Sequence, residues 1–359
     1  MLKHIFSRWS FILSLIFILL TAVFGIWVNL KPSHGEWYND HIFLNLNHYW
    51  QYISHFTDVP LFWVVFWILM IVLFTWLLGL RHSDAKKKWL LVIVDLLTFM
   101  ASGIALFYWF WGFNYSKPSL SASYFEYKYT DIDTTEFKKI WARQGQKVNY
   151  LRGKSTEPDS SKNWTAIYSH HLQKSIKTVL PIFNIDSSLN PICKELSPQG
   201  SLLRLNTAGF YFPYGSESYI DPGLHISQKP FVIAHELAHG YGVTDEGDAN
   251  FLGYLTCLKS GDRFVQYSAE LGLWLYMARD ARGLDKNYQT KMWKNLSQKV
   301  QDDLAARQML DQTYPAIMPT VRDFIYGSYL SLNQVEGGLE SYSRLVKMVI
   351  TYNKEKQKR

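Results

Sequence analysis

Residues 229–255 read KPFVIAHELAHGYGVTDEGDANFLGYL. The apolar run Phe231-Val232-Ile233-Ala234 leads into His235-Glu236-Leu237-Ala238-His239, a pattern that suits a buried helix. Side chains four apart on a helix share a face, so His235 and His239 present two imidazole nitrogens to one point. Glu236 leans toward the same cleft. Two histidines at this spacing, with a glutamate beside the first, meet the needs of a zinc hydrolase. The rings hold the metal, and the carboxylate acts as general base on water there. Small Ala238 leaves space on the cleft side. Gly242 then ends the helix, as a left-handed glycine after a helix does.

A third ligand must come from the residues after His239, which offer Asp245, Glu246 and Asp248. Spacing leaves the choice open. His239-x-x-Gly242-x-x-Asp245 resembles the metzincin step, with Asp in place of the third His. Metzincins also carry a Met-turn, for which Met318 in Tyr-Pro-Ala-Ile-Met-Pro is the turn-like candidate. Glu246-x-x-Ala249-Asn250 is similar to the gluzincin arrangement of thermolysin and the membrane CAAX-type proteases. That likeness implies a helical glutamate on the metal, and Asn250 accepting an imidazole N–H in place of the usual acid. The step from His239 to Glu246 is short for a gluzincin and demands a tight reversal, which Gly240, Gly242 and Gly247 can supply.

Upstream the chain changes character. Three apolar stretches, at 10–30, 60–80 and 89–111, reach the ~20 residues that a helix needs to cross a bilayer core of about 30 Å. The aromatic content of 16%, with 14 Trp, fits a chain lying partly in lipid, since Trp and Tyr favour membrane interfaces. A mean hydropathy of −0.10 averages two unlike parts. The first stretch follows Lys3 and Arg8 but lacks a small-x-small cleavage site, so it reads as an uncleaved anchor. Asp95 lies inside the third. An ionisable group there is a functional candidate by default, yet its place near the start favours an interfacial position or a bond to a neighbouring helix. Orientation follows from the short loops. Residues 31–59 carry Lys31 as their one Lys or Arg, whereas the second loop carries Arg81, Lys86, Lys87 and Lys88. Positive residues stay cytoplasmic, so the N-terminus is expected inside and everything after Trp111 outside, in a periplasm or beyond the cell surface.

Residues 1–113 thus read as an anchor in the lipid bilayer and 114–359 as an extracytoplasmic catalytic domain. The net charge of +7 sits partly at the membrane flanks, and no Lys/Arg block interleaves with aromatics as a nucleic-acid groove requires. Cys193 and Cys257 form no CxxC pair, which argues against a cysteine-built zinc site. A disulfide between them stays open outside the cytoplasm. The segment SKPSLSAS (116–123) reads as a linker. Helical spacing marks 134–152 and 163–179, and one or two strands are expected within 197–220. Helices resume near Lys229 and continue to the basic tail. Residues 209–220 are the candidate edge strand for an extended peptide, with Glu217 as a group for substrate or for supporting the ligands. Tyr326, Tyr329 and Tyr342 are candidates to stabilise an oxyanion. His170, His171 and His225 read as surface or structural.

Several motifs extend beyond the metal helix: WGFNY (111–115), GFYFPYGSES (209–218), AHELAHGYG (234–242), EGDANFLGYL (246–255), and YGSYL with GGLESYSRLV near the C-terminus. With the three apolar stretches, they resemble bacterial membrane proteins grouped as domain of unknown function 3810, regarded as zinc metallopeptidases. The likeness covers most of the chain. The family's acidic-x-acidic-Ala-Asn-Phe run is matched by Glu246-Gly247-Asp248-Ala249-Asn250-Phe251, which favours Glu246 as third ligand, then Asp248, over Asp245. The expected fold is three N-terminal transmembrane helices followed by a mainly α, α+β zincin-like domain, with a small edge-strand region before the HExxH helix. The expected function is hydrolysis of peptides or envelope proteins, with Zn2+ held by His235, His239 and Glu246 and Glu236 as base. The alternative is an inactive zincin-fold membrane scaffold, against which the presence of Glu236 argues. An intramembrane protease is disfavoured, because HELAH lies far from the apolar stretches.

Overall fold

The computed structural model describes residues 2–80, 85–156, 158–159, 162–317, 320 and 344–358. Met318, Tyr326, Tyr329 and Tyr342 lie outside the described residues. The chain divides into two compact units, Met1–Lys117 with Phe212–Ser216, and Pro118–Tyr211 with Glu217–Arg359.

In the first unit, α1 spans Leu2–Val28, α2 Pro32–Tyr38, α3 Leu44–His55, α4 Leu61–Leu80 and α5 Ala85–Phe110. Each expected apolar stretch folds as a helix, because runs of Leu, Ile, Phe and Trp without proline satisfy the backbone internally. Among the described residues, two windows are long and apolar enough to cross a membrane, Phe11–Val28 at a hydropathy of 2.7 and Val92–Phe110 at 1.8, while Leu61–Trp76 is a shorter apolar helix. Polar groups pair between these helices. Trp76 Nε1 donates to Asp95 Oδ2 at 3.0 Å, and Trp109 Nε1 donates to Thr21 Oγ1 at 2.9 Å. Asp95 is therefore accounted for by a neighbouring helix. The loop expected at 31–59 is mostly helical. A π turn at Asn39–Phe43 joins α2 to α3, and Pro32 starts α2, where a missing N–H does no harm.

In the second unit, α6 spans Leu120–Ser123, α7 Thr134–Lys154 and α8 Trp164–Val179. Asp133 and Asn163 cap α7 and α8 by accepting backbone N–H groups with their side chains, as such residues do at helix starts. The expected linker is partly folded. Ser119 caps α6, and Leu120 and Ser121 are buried. Strands β1 (Ile192–Glu195), β2 (Gly209–Phe212) and β3 (Glu217–Ile220) form a sheet in the order β1–β3–β2. β1 runs parallel to β3, with Cys193 opposite Ser218 and Lys194 opposite Tyr219. β2 and β3 fall in the expected region and β2 occupies an edge, while β1 lies outside the expected region. Helices α9 (Lys229–Gly240), α10 (Glu246–Lys259), α11 (Arg263–Asp280), α12 (Lys286–Lys294), α13 (Gln298–Thr313) and α14 (Arg344–Lys358) complete the unit. The described residues are mostly helical, with one small sheet. Leu172, Ile233, Leu237, Phe251, Leu252, Leu271 and Trp274 build the core between α8, α9, α10 and α11. Cys193 and Cys257 are buried and free, so the disulfide left open by the sequence is not made.

Candidate metal centre

Helix α9 is built to end at one place. Pro230 sits in its first turn. At the other end Gly242 takes a φ of +77°. Its N–H bonds the His239 carbonyl at 2.9 Å, and the Val243 N–H reaches back to the Ala238 carbonyl at 3.4 Å. This pair of reversed bonds is the Schellman motif, which satisfies the last carbonyls of a helix. The same turn orients a candidate ligand. His239 Nδ1 lies 2.7 Å from the Val243 carbonyl. A carbonyl only accepts, so Nδ1 carries a proton, and Nε2 is the nitrogen left to face His235 and Glu246.

The chain reverses through Thr244 and starts α10 at once. Asp245 caps it, accepting the Asp248 N–H at 3.0 Å, and Glu246 is its first residue. Gly253, two turns on, lets α10 approach α9. A Cβ there would stand 2.9 Å from the His235 backbone nitrogen. The two helices thereby bring three donors together. His235 Nε2 and His239 Nε2 lie 3.1 Å apart, and Glu246 Oε2 lies 3.2 Å from the first and 3.7 Å from the second. Zinc bonds of about 2.0–2.2 Å in a tetrahedral shell set neighbouring donors roughly 3.3–3.6 Å apart. The three separations bracket that edge. The donor set, two imidazoles and one carboxylate, is one that catalytic zinc uses, leaving a fourth position open.

Electrostatics agree that the cluster calls for positive charge. Burial works against protonation of His239, but the Glu246 carboxylate beside it outweighs burial and raises its pKa to about 9. Burial would raise Glu246, but the two imidazole rings beside it hold its carboxyl well below the usual range. Glu236 is different. It is buried, and its Oε2 has no hydrogen-bond partner among the described residues. Burial raises its pKa to about 7, against the pull of both histidines and with a push from Glu246. A carboxyl group poised near neutrality is suited to exchanging protons. β2 and β3 flank it. Ser218 Oγ donates to the Glu236 carbonyl at 2.8 Å, and a Cβ on Gly209 would sit 2.8 Å from Glu236 Oε1 and 2.5 Å from the Tyr219 carbonyl. Only glycine leaves room there.

The competing acids are engaged elsewhere. Asp245 forms an ion pair with Arg344 of α14. Asp248 Oδ2 accepts the Leu120 N–H at 2.7 Å. Burial, and then the charge of Asp245, push the Asp248 carboxyl well up. Glu246 is thus the acid brought to the two rings. The expectation for Asn250 does not hold. His239 Nδ1 is taken by Val243, and His235 Nδ1 is buried without a hydrogen-bond partner among the described residues. Asn250 is itself buried, and its Nδ2 has no hydrogen-bond partner among the described residues. Glu217 is not offered to a substrate either. It is fully buried, paired with Lys194 and hydrogen-bonded by Tyr219. His171 Nε2 meets the Ser260 carbonyl at 2.8 Å and His225 Nδ1 meets Ser227 Oγ at 2.7 Å, both structural uses. His170 is exposed.

The family described as protein of unknown function (DUF3810) matches residues 38–350, a span that holds the whole cluster. The chain belongs to this family. It matches no curated protein and no solved structure.

Some site residues of this DUF3810 protein carried no readable signal in the sequence. Val243 acts through its carbonyl, which any residue possesses. Gly209 and Gly253 matter because of what stands opposite them in space. Arg344 is far from Asp245 along the chain. Tyr276 is one of 23 tyrosines. Burial raises its pKa to about 12, with Arg279 lowering it and the Glu246 charge adding to the rise.

Proposed function

We propose that this DUF3810 protein is a membrane-anchored zinc metallopeptidase. The observation that carries the reading is the meeting of His235, His239 and Glu246 at donor separations of 3.1, 3.2 and 3.7 Å, with Glu236 buried beside them. Zinc bound there would polarise a scissile carbonyl and lower the pKa of water toward neutrality. The remaining work falls to the chain. Val243 holds the His239 ring in the tautomer that frees Nε2. Glu236, kept near neutrality by burial, accepts a proton from the attacking water and returns it to the leaving amine. β2, at the sheet edge with Gly209 against Glu236, supplies backbone for an extended peptide. Peptides or envelope proteins are the substrate class this favours. A small edge-strand region before the HExxH helix, followed by a helical glutamate, supports a zincin-like, gluzincin-type domain.

The anchor reading extends to three spans. α1, α4 and α5 expose Leu19, Ile26, Trp67, Ile71, Phe74, Leu97 and Ile104, surface that a soluble protein would cover. The charge of the short loops supports a cytoplasmic N-terminus and a catalytic domain outside the cytoplasm. The test is peptide hydrolysis by the full chain in detergent, with a quenched-fluorescence peptide library. Cleavage that disappears in Glu236→Gln while the metal stays supports the peptidase. A metal-loaded chain that cleaves nothing in the library, and no purified envelope protein, supports the scaffold instead.

A further inference from the structure

Residues 32–55 connect α1 to α4, and their burial is inverted relative to a helix on a water-soluble protein. Beyond Tyr38 and Phe43, which fill the inward row at the π turn, that row is polar. Asn47, Gln51 and Ser54 are 1%, 3% and 0% exposed. They are served inside the first unit. Gln51 Nε2 donates to Ser216 Oγ at 3.3 Å, and Ser216 Oγ donates to Asn47 Oδ1 at 2.5 Å. The outward row is aromatic. Tyr49, Tyr52 and Phe56 are 75%, 68% and 72% exposed, and Trp37 and Ile53 are exposed as well. The π turn adds a residue to one helical turn. It thereby keeps Gly35, Tyr38, Phe43, Asn47, Gln51 and Ser54 on the buried side. Amides turned inward and aromatic rings turned outward suit surroundings less polar than water.

The outward face also carries a histidine series. His41, His48 and His55 recur every seven residues, close to two helical turns, and all three are exposed. Residues 32–80 contain no Lys or Arg, so histidines are the segment's basic side chains. The His41 ring lies flat on Trp37, with centroids 4.9 Å apart and planes at 12°. His34 stacks likewise on Trp27 at the end of α1, at 4.2 Å and 7°. These pairs present rings and imidazole nitrogens together, the mixture that sits well at headgroup depth.

Tethering fixes where such a helix can go. α1 ends at Val28 and α2 begins at Pro32, while α3 ends at His55 and α4 begins at Leu61. Connections this short hold the segment's two ends within roughly 14 and 21 Å of the ends of α1 and α4. The geometry points to an interfacial helix: residues 32–56 lie along the bilayer surface, with Trp37, Tyr49, Tyr52 and Phe56 seated among lipid headgroups and upper acyl chains. The occupant of this face is the bilayer that α1 and α4 enter. The inference rests on the membrane reading above and assigns lipid contact to a segment that charge counting alone treats as an aqueous loop. Interfacial helices of this kind bind by buried apolar area and by polar contacts to headgroups.

The test uses the full chain in phosphatidylcholine/phosphatidylglycerol nanodiscs, with an environment-sensitive fluorophore on Tyr52→Cys or on Leu20→Cys. Wild type serves as control, since its two cysteines are buried. The expected result is quenching of the position-52 probe by headgroup nitroxide lipids, with loss of quenching by aqueous iodide, and quenching of the position-20 probe by mid-chain nitroxides. Iodide quenching at 52 with intact mid-chain quenching at 20 overturns the interfacial helix and leaves the anchor standing. A position-52 probe shielded from both quenchers overturns it in favour of a protein partner. Absence of lipid quenching at both positions removes the anchor and the interfacial helix together.

Discussion

His239 uses both of its ring nitrogens, one toward the Val243 carbonyl and one toward Glu246 and His235. That division sets the tautomer, and it depends on the turn at Gly242. The histidine pair and Glu236 were legible in the sequence because helical periodicity is local. The neighbours that seat them were not, because they meet the site only through tertiary contact. Gly253→Ala tests this. Its Cβ would press on the His235 backbone nitrogen at 2.9 Å, and overpacking of this sort typically costs about 1–3 kcal/mol. Thermal unfolding should register the loss, and zinc affinity should fall with it, because α10 carries Glu246. Glu236→Gln acts on chemistry alone. It should lower peptide hydrolysis by roughly 100- to 10,000-fold, the range for losing a general base, while zinc content measured on the same sample stays unchanged.

Helix α10 carries Glu246 at its first residue, and its start is pinned from two sides. Arg344 pairs with Asp245 and donates to Ser121 Oγ at 3.2 Å, and Asp248 accepts from Leu120. The Arg344–Asp245 pair is mostly buried, with side chains 15% and 11% exposed. Removing one partner of a buried pair costs about 3–5 kcal/mol. Arg344→Ala should therefore lower the denaturant midpoint, and it should weaken zinc binding because the Asp245 cap loses its anchor. Unchanged stability would show that α14 does not hold α10. At this scale, sequence patterns found α7, α8 and α9 with bounds close to those observed, since amphipathic spacing and caps repeat locally. Strand β1 escaped because ICKE is too short to show a period, and its pairing with β3 is set by distant residues. The helices at 32–55 escaped because their polar positions face inward, which reverses the pattern that spacing rules look for.

The whole molecule combines a unit of apolar helices with a unit that holds the His235–His239–Glu246 cluster. The apolar stretches were legible from length and composition alone, and each folds as a helix. The division was less so, because the turn Phe212–Ser216 belongs to the first unit although its strands belong to the sheet. Its place depends on contacts such as Tyr214 Oη donating to the Gly103 carbonyl at 3.0 Å, which no local pattern encodes. If the short-loop charges set the topology, alkaline phosphatase fused after Arg359 should be active and a fluorescent protein there dark. The reverse outcome would place the second unit in the cytoplasm. The central claim, one metal held by His235, His239 and Glu246, is tested most directly by metal content of the purified full chain. Wild type is compared with His239→Ala, Glu246→Gln and Asp248→Asn at matched folding. Wild type and Asp248→Asn should carry about one zinc per chain, and the other two variants should lose it. No stoichiometric metal in folded wild type, or zinc retained by Glu246→Gln and lost by Asp248→Asn, would contradict the claim.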